Sequence, residues 1–388
     1  MFSRPNGYPF IQKNIIIRMN RLFEYTNITK KATPHIFRHT HISMMTEARI
    51  DLATIMEKVG HEDIKTKTTM KIYTHVTNKM KKDASTYNSH LNDRLVNFNP
   101  NLSDIHTLKE NSNIQIETWG YKSMKFSDFE TDEKKSDKYI PKIAILDSGI
   151  STDHQELKGV IRGEYNAIDP NSSVKDDLGH GTAIAGIIAS LDNTEGIVGT
   201  SHGMDLYSVK ILDSNGEGSV DSLIRGIEWC IDNKIDVINV SFGMSSDNPK
   251  LKKAIDKAIK ANMIIVAAGN NTRLMVDYPA KYEGVISINA VNKQYKTEKL
   301  YSSRGKIDFC APGINILTLS NKGNYKEFSG TSFAAAFVSG FVVNLLNAPS
   351  KYGIDLNDKY STIYSYLKEH AVNLGEKDLY GNGFIQYQ

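Results

Sequence analysis

The chain has 388 residues, 40% hydrophobic and 23% charged, a balance usual for soluble globular proteins and a length that points to two units. No run reaches the roughly 18–20 apolar residues needed to span a bilayer, and two cysteines, Cys230 and Cys310, are too few for a disulfide framework. The net charge of +3 conceals an asymmetry: residues 1–100 carry 16 Lys and Arg against 8 Asp and Glu, net +8, and residues 101–388 carry 31 against 36, net −5. Opposite signs read as two modules, the basic one suited either to nucleic acid or simply to solvent.

In chain order, a helical pattern over residues 11–26 is broken by Lys31 to His35, and a second helix is expected from Pro34. Three blocks follow. Thr-Pro-His-Ile-Phe-Arg-His-Thr-His carries His35 and Arg38, Val-Gly-His ends at His61, and Met-Lys-Ile-Tyr-Thr-His-Val centres on Tyr73. In this order they resemble the end of a tyrosine recombinase (phage integrase) catalytic domain. The resemblance implies that His35, Arg38 and His61 would hold a phosphate while the Tyr73 phenol attacks it. Only 34 residues precede His35, leaving no counterpart for the family's upstream arginine and lysine or its DNA-binding arm. Lys65-Thr66-Lys67-Thr68 also reads as a two-residue duplication that displaces Tyr73. The expectation for residues 1–96 is a small, mainly α-helical, truncated fragment that cleaves no DNA strand by itself and binds DNA weakly and salt-sensitively. Residues 97–118 are polar and read as a linker or a short propeptide.

From residue 119 onward, short apolar runs alternate with helical patterns. Strands are expected at 142–146 (ending at Asp147), 206–212, 236–241, 263–268 and 285–290, with helices at 181–190, 219–233 and 251–261. That alternation predicts an α/β domain with a mostly parallel sheet covered on both faces. Functional groups in such sheets collect at the carboxyl ends of strands, where Asp147, Ser241 and Asn270 fall. Near the end, Gly-Thr-Ser at 330–332 opens an apolar segment free of charge until Lys351, rich in small residues, which predicts a helix buried all round. Ser332 at its start reads either as a helix cap or as a nucleophile beside free backbone N–H groups.

A nucleophilic serine needs a base, and the base an orienting carboxylate. The candidates are Asp147 in Ile-Leu-Asp-Ser-Gly-Ile, His180 in Asp-Leu-Gly-His-Gly-Thr and Ser332 in Ser-Gly-Thr-Ser-Phe-Ala. Together these blocks resemble the subtilisin-like serine proteases (subtilases) over residues 119–388, which implies a subtilisin-like three-layer fold and a monomeric endopeptidase acting on polypeptides. By that resemblance His180 takes the proton of Ser332, Asp147 fixes His180, and Asn270 in Val-Ala-Ala-Gly-Asn donates to the oxyanion. Gly216 and Gly218, with Ser241 and Gly243, would form two edges that hold substrate as an added strand, and Ala268 and Gly269 a wall of the primary specificity pocket. Asp277, just before Tyr-Pro, reads either as a carboxylate on that pocket's floor, favouring Arg or Lys before the cleaved bond, or as a solvated loop aspartate.

The stretch 191–197 resembles the family's calcium loop, which implies a structural calcium held by Asn193, the carbonyls of Leu191, Glu195 and Ile197, Glu156 where aspartate is usual, and Gln115. Ala336 and Phe337 replace a proline and a histidine common after the nucleophile, and Phe333 a methionine; all suit a buried helix. No folding propeptide is recognisable, and residues 101–118 could serve as a short one. The first ten residues lack the apolar core of a secretory signal, and both cysteines lie in apolar stretches, so the cytoplasm is the expected location.

Overall fold

Strand β1, Lys142–Asp147, shows how the layers arise: all but its first residue are buried, and successive side chains go to opposite faces. Ile143 and Ile145 join one apolar cluster, Ala144 and Leu146 the other. This computed structural model describes residues 114–131, 139–271, 275–298 and 300–388. His35, Arg38, His61 and Tyr73 lie outside the described residues. The chain divides into Met1–Phe98 and Asn99–Gln388, and the elements below belong to the second unit.

On one side of β1 lie β3 (Asp205–Lys210) and the edge strand β2 (Ile161–Asn166). On the other lie β4 (Val237–Val240), β5 (Ile264–Ala268), β6 (Val285–Val291), β7 (Phe309–Pro312), β11 (Phe384–Ile385) and β10 (Ala371–Val372), in that order. Among the described residues this is a nine-stranded sheet, parallel except for the β10–β11 pair. Strands β4 to β7 are buried at every position, which is why they read as continuous apolar runs.

Helices α3 (Val220–Asp232) and α4 (Pro249–Lys260) cover one face with Leu223, Ile227, Leu251, Ile255 and Ala258. Their starts follow from local chemistry. Ser219 and Ser222 form a capping box, and Asn248 caps α4 ahead of Pro249, which has no N–H to lose. The other face carries α2 (His180–Ala189), α5 (Thr331–Asn347), α6 (Lys359–Glu369) and the hairpin of β8 (Ile316–Leu319) with β9 (Tyr325–Phe328). All 17 residues of α5 are buried, as its uncharged sequence predicts. Phe337 fills space against Phe126, and Gly120 in the short helix α1 (Trp119–Ser123) leaves room for its ring.

The strands and helices expected between 142 and 290 are all present, and the sheet with two helical layers is the expected fold. Strands β2 and β7 to β11 were not anticipated. β2 is half-exposed and interrupted by Arg162, Gly163 and Glu164, β7 to β9 have only four residues each, and β10 and β11 only two. The last residues of the polar stretch are pinned to the domain: the Ile116 N–H donates to the Gly196 carbonyl (2.7 Å), and the Thr118 hydroxyl caps α1.

Candidate active site

Asp147 ends β1, fully buried, and His180 begins α2 immediately after Gly179, whose φ of +91° suits a residue without a side chain. The Nδ1 atom of His180 lies 2.8 and 2.9 Å from the two Asp147 carboxylate oxygens. The histidine side chain remains 25% exposed, so one side of the ring is open for chemistry. Burial lowers the His180 pKa, but the charge and hydrogen bond of Asp147 and the charge of Asp176 outweigh it, and the net shift is upward.

Asp176, which the sequence did not single out, organises this corner. Its Oδ1 accepts from the Ser148 hydroxyl (2.8 Å) and the Gly179 N–H (2.7 Å), and its Oδ2 from the Thr182 N–H (2.9 Å) and hydroxyl (2.5 Å). Ser148 Oγ in turn accepts from the Gly181 N–H (3.0 Å). The buried Lys210 ammonium, at the end of β3, donates to the carbonyls of Ser148 (2.6 Å) and Lys175 (2.9 Å). These contacts tie the end of β1 to the first turn of α2, so the Asp147–His180 geometry is set by backbone anchored on both sides. Asp177, the next residue, is exposed.

Ser332 is the second residue of α5 and is 6% exposed. Its hydroxyl donates to the Ser241 carbonyl at 3.3 Å, just past the end of β4, and the Phe333 ring packs on His180 with centroids 5.5 Å apart. No His180–Ser332 hydrogen bond is present among the described residues. Inside the domain, Ser339 on α5 donates to Asn239 (2.9 Å), whose amide donates to Ser241 Oγ (3.0 Å), binding the helix to the strand that faces Ser332.

The loop after β5 reaches the same place. Asn271 accepts from the Thr331 N–H (2.8 Å) and hydroxyl (3.1 Å), one residue before Ser332. Asn270 Oδ1 accepts from the Asn271 N–H (2.5 Å), which turns its amide nitrogen to the Asp277 carboxylate at 2.8 Å. The Asp277 N–H donates to the Gly269 carbonyl (3.1 Å), and Ala268 closes β5 just before. A Cβ on Gly243 would lie 3.0 Å from the Asp277 Cβ, so the missing side chain makes room for that residue. Gly216, at φ +75°, faces Leu178, two residues before His180 in the chain, and Gly218 follows two residues later.

The expected calcium residues also come together, away from this corner. Gln115 donates to the Leu191 carbonyl (2.7 Å) and accepts from the Asn193 N–H (3.2 Å), and Asn193 Oδ1 accepts from the Glu195 N–H (2.7 Å). Glu156 is buried against Gly196 with Oε1 bonded to the Tyr325 hydroxyl and Oε2 buried without a hydrogen-bond partner. Burial raises the Glu156 pKa, the Tyr325 bond opposing and the Glu195 charge adding to it. Ile197 pairs with Ile116 next to this loop.

Residues 140–383 match the model of the Subtilase family, and residues 1–80 that of the Phage integrase family. Subtilisin DY of Bacillus licheniformis is 35% identical over 252 residues, 64% of this chain and 89% of that protein. A thermostable alkaline protease of Halalkalibacterium halodurans is 38% identical over 245 residues, 63% of this chain and 65% of that protein. The subtilisin of Bacillus pumilus is 35% identical over 254 residues, 64% of this chain and 89% of that protein.

Proposed function

The chain belongs to the subtilase family and is a subtilisin-like serine endopeptidase, and we propose that Asp147, His180 and Ser332 carry its reaction. The observation that supports this most is the double contact of His180 Nδ1 with Asp147 at the mouth of a corner that also holds the buried helix start of Ser332. On substrate binding the Ser332 hydroxyl turns from the Ser241 carbonyl toward His180, whose Nε2 takes its proton as the oxygen bonds to the scissile carbonyl carbon. Catalytic hydrogen bonds commonly form only in the substrate complex, so the resting rotamer is compatible with this role. Asp147 holds Nδ1–H and stabilises the imidazolium, and the Asn270 amide donates to the oxyanion. Collapse expels the amine with the proton from His180, and water, deprotonated by the same ring, hydrolyses the acyl ester on Ser332. A fluorophosphonate probe tests this: it labels the protein, and Ser332→Ala removes the label. Labelling that survives the substitution would overturn the assignment.

Substrate lies as a strand between Gly216 with Gly218 and Ser241 with Gly243, its primary side chain beside Ala268, Gly269 and Asp277. A carboxylate in that position favours Arg or Lys before the cleaved bond. Equal turnover of peptides differing only there would remove the preference.

Gln115, Glu156, Leu191, Asn193, Glu195 and Ile197 supply the all-oxygen set that calcium prefers, and the buried, unpartnered Glu156 oxygen supports the fit. Among the described residues no three or more His, Cys, Asp or Glu side chains cluster as metal ligands; most donors in this set are amides and carbonyls. A bound calcium would supply a cross-link between residues 115–116 and the loop. Residues 1–96, matched in part by the integrase model, form a separate segment related to DNA integration that binds DNA weakly and without strand cleavage, residues 97–118 join it to the peptidase, and the whole acts as a cytoplasmic monomer.

A further inference from the structure

The β8–β9 hairpin touches both sides of the catalytic corner. Its second strand runs on through Ser329 and Gly330 into Thr331 and Ser332, so the approach to the nucleophile continues the hairpin. Phe328, at the end of β9, stacks on Phe333 with centroids 5.3 Å apart, and Phe333 in turn packs on His180. The hairpin also lies along α2. The buried Thr318 hydroxyl donates to the Ala183 carbonyl (2.7 Å), and a Cβ on Gly186 would fall 2.5 Å from both the Leu319 Cγ and the Thr318 Oγ1.

The turn between the two strands reaches the start of the same helix. The Ser320 N–H donates to the Asn324 carbonyl (2.7 Å) and the Gly323 N–H to the Ser320 carbonyl (3.1 Å), with Gly323 at φ +75°. This closed turn presents the half-buried Asn321 to α2, and its amide nitrogen donates to the Asp176 carbonyl at 2.9 Å. The same carboxamide lies against Gly179, where a Cβ would fall 2.8 Å from the Asn321 oxygen and 3.3 Å from its nitrogen. Asp176 is thus held twice, its carboxylate by Ser148, Gly179 and Thr182 and its carbonyl by Asn321. All of this falls just before His180 in the chain.

Proton transfer needs the Ser332 oxygen within hydrogen-bond reach of His180, and a misplacement of about 1 Å slows a reaction by up to roughly a hundredfold. That reach depends on where α2 begins relative to the beginning of α5. Chain continuity fixes α5 to the hairpin, and Asn321 with Thr318 fixes α2 to it. We propose that Asn321 is a positioning residue for the reaction: by tying the hairpin turn to the Asp176 carbonyl and Gly179, it sets the reach from Ser332 to His180. This rests on Ser332 as nucleophile and His180 as base. Asp147 orients the imidazole from β1, and Asn321 places it relative to the serine.

A residue that only stabilises the fold changes how many molecules are active, not the rate of each active one. The deciding quantities in Asn321→Ala are therefore kcat per fluorophosphonate-labelled site, KM and the rate of labelling. Loss of one neutral hydrogen bond that acts in the transition state lowers kcat roughly threefold to tenfold. The labelling rate is expected to fall by a similar factor, while KM stays within about twofold because no residue that would hold the substrate is altered. Lys322→Ala, exposed in the same turn, is expected to leave all three unchanged. An unchanged kcat per labelled site in Asn321→Ala, a loss confined to KM, or an equal loss in Lys322→Ala overturns the proposal. Should Asn321→Ala fail to fold, Asn321→Asp keeps the shape and replaces the donor with an acceptor, and the same outcomes decide. A wild type that takes no label, or a label that survives Ser332→Ala, overturns the catalytic reading and the positioning role with it. Normal labelling beside an unchanged Asn321→Ala kcat removes the positioning role alone.

Discussion

His180 keeps its proton to a higher pH than a free imidazole, because the Asp147 charge and hydrogen bond, with help from Asp176, outweigh the effect of burial. A general base must be neutral, so the acid limb of kcat/KM is expected above the ordinary imidazole value of 6.5, and activity rises as pH rises through it. The linked stability has the opposite sign: pairing of protonated His180 with Asp147 contributes fully below the unfolded pKa and is lost as pH rises through the higher folded one. Asp147→Asn removes the cause, moves the limb to lower pH and lowers kcat by about 10⁴, the cost of the same change in a trypsin triad. A limb below 6.5 in the unaltered enzyme would contradict the assignment. The blocks around Asp147, His180 and Ser332 stood out in the sequence because they resemble those of the subtilases. Asp176 did not, since nothing distinguishes it from exposed Asp177 until the turn folds and Gly179, Thr182 and Ser148 converge on one carboxylate.

At the scale of elements, the site depends on how closely α2 and α5 approach the sheet. A Cβ on Gly181, the residue after His180, would lie 2.1 Å from the Gly149 carbonyl oxygen and 3.2 Å from the Asp147 Cβ. Both obstacles belong to or flank the β1 terminus, so relief requires moving α2 away from Asp147. Gly181→Ala is therefore expected to cost about 1–3 kcal/mol, lower Tm by several degrees and slow fluorophosphonate labelling. Unchanged Tm and labelling rate would show that the contact yields more easily than the geometry implies. On α5, Gly340 makes room for the loop before β3 instead: a Cβ there would meet the Thr200 hydroxyl at 1.9 Å. The uncharged run of α5 announced a buried helix, and small residues at its surface announced close packing. Which neighbour each small residue faces was not legible, because those neighbours are distant in the chain.

Two properties belong to the whole molecule. The loop at residues 191–197 and the segment around Gln115 are already joined by hydrogen bonds, and calcium in their oxygen set would strengthen that link. A ligand bound only by the folded state at about 100 times its dissociation constant adds about 2.7 kcal/mol. Chelation is accordingly expected to lower Tm by several degrees and readdition of calcium to restore it; a Tm indifferent to both would remove the site. The basic segment supports a second expectation. Binding of the full chain to DNA weakens steeply with salt, and no covalent adduct forms at Tyr73. Recovery of a DNA-linked Tyr73 peptide would reverse that reading.

The apolar runs of the sheet and the uncharged helix behind Ser332 were legible from residue types alone, whereas the blocks holding Asp147, His180 and Ser332 were singled out by their resemblance to the subtilases. Burial of a run of side chains is an average over many contacts, and local sequence carries it well. Folding alone decided which polar atoms meet: Asp176 with the first turn of α2, Asn271 with Thr331, and Asp277 with the Asn270 amide. A hydrogen bond depends on distances of a few tenths of an ångström and on direction, and no pattern of residue types specifies those. Asp277 shows the difference most clearly. Its sequence left a pocket carboxylate and a solvated loop residue equally open, and the fold placed its carboxylate against the Asn270 amide.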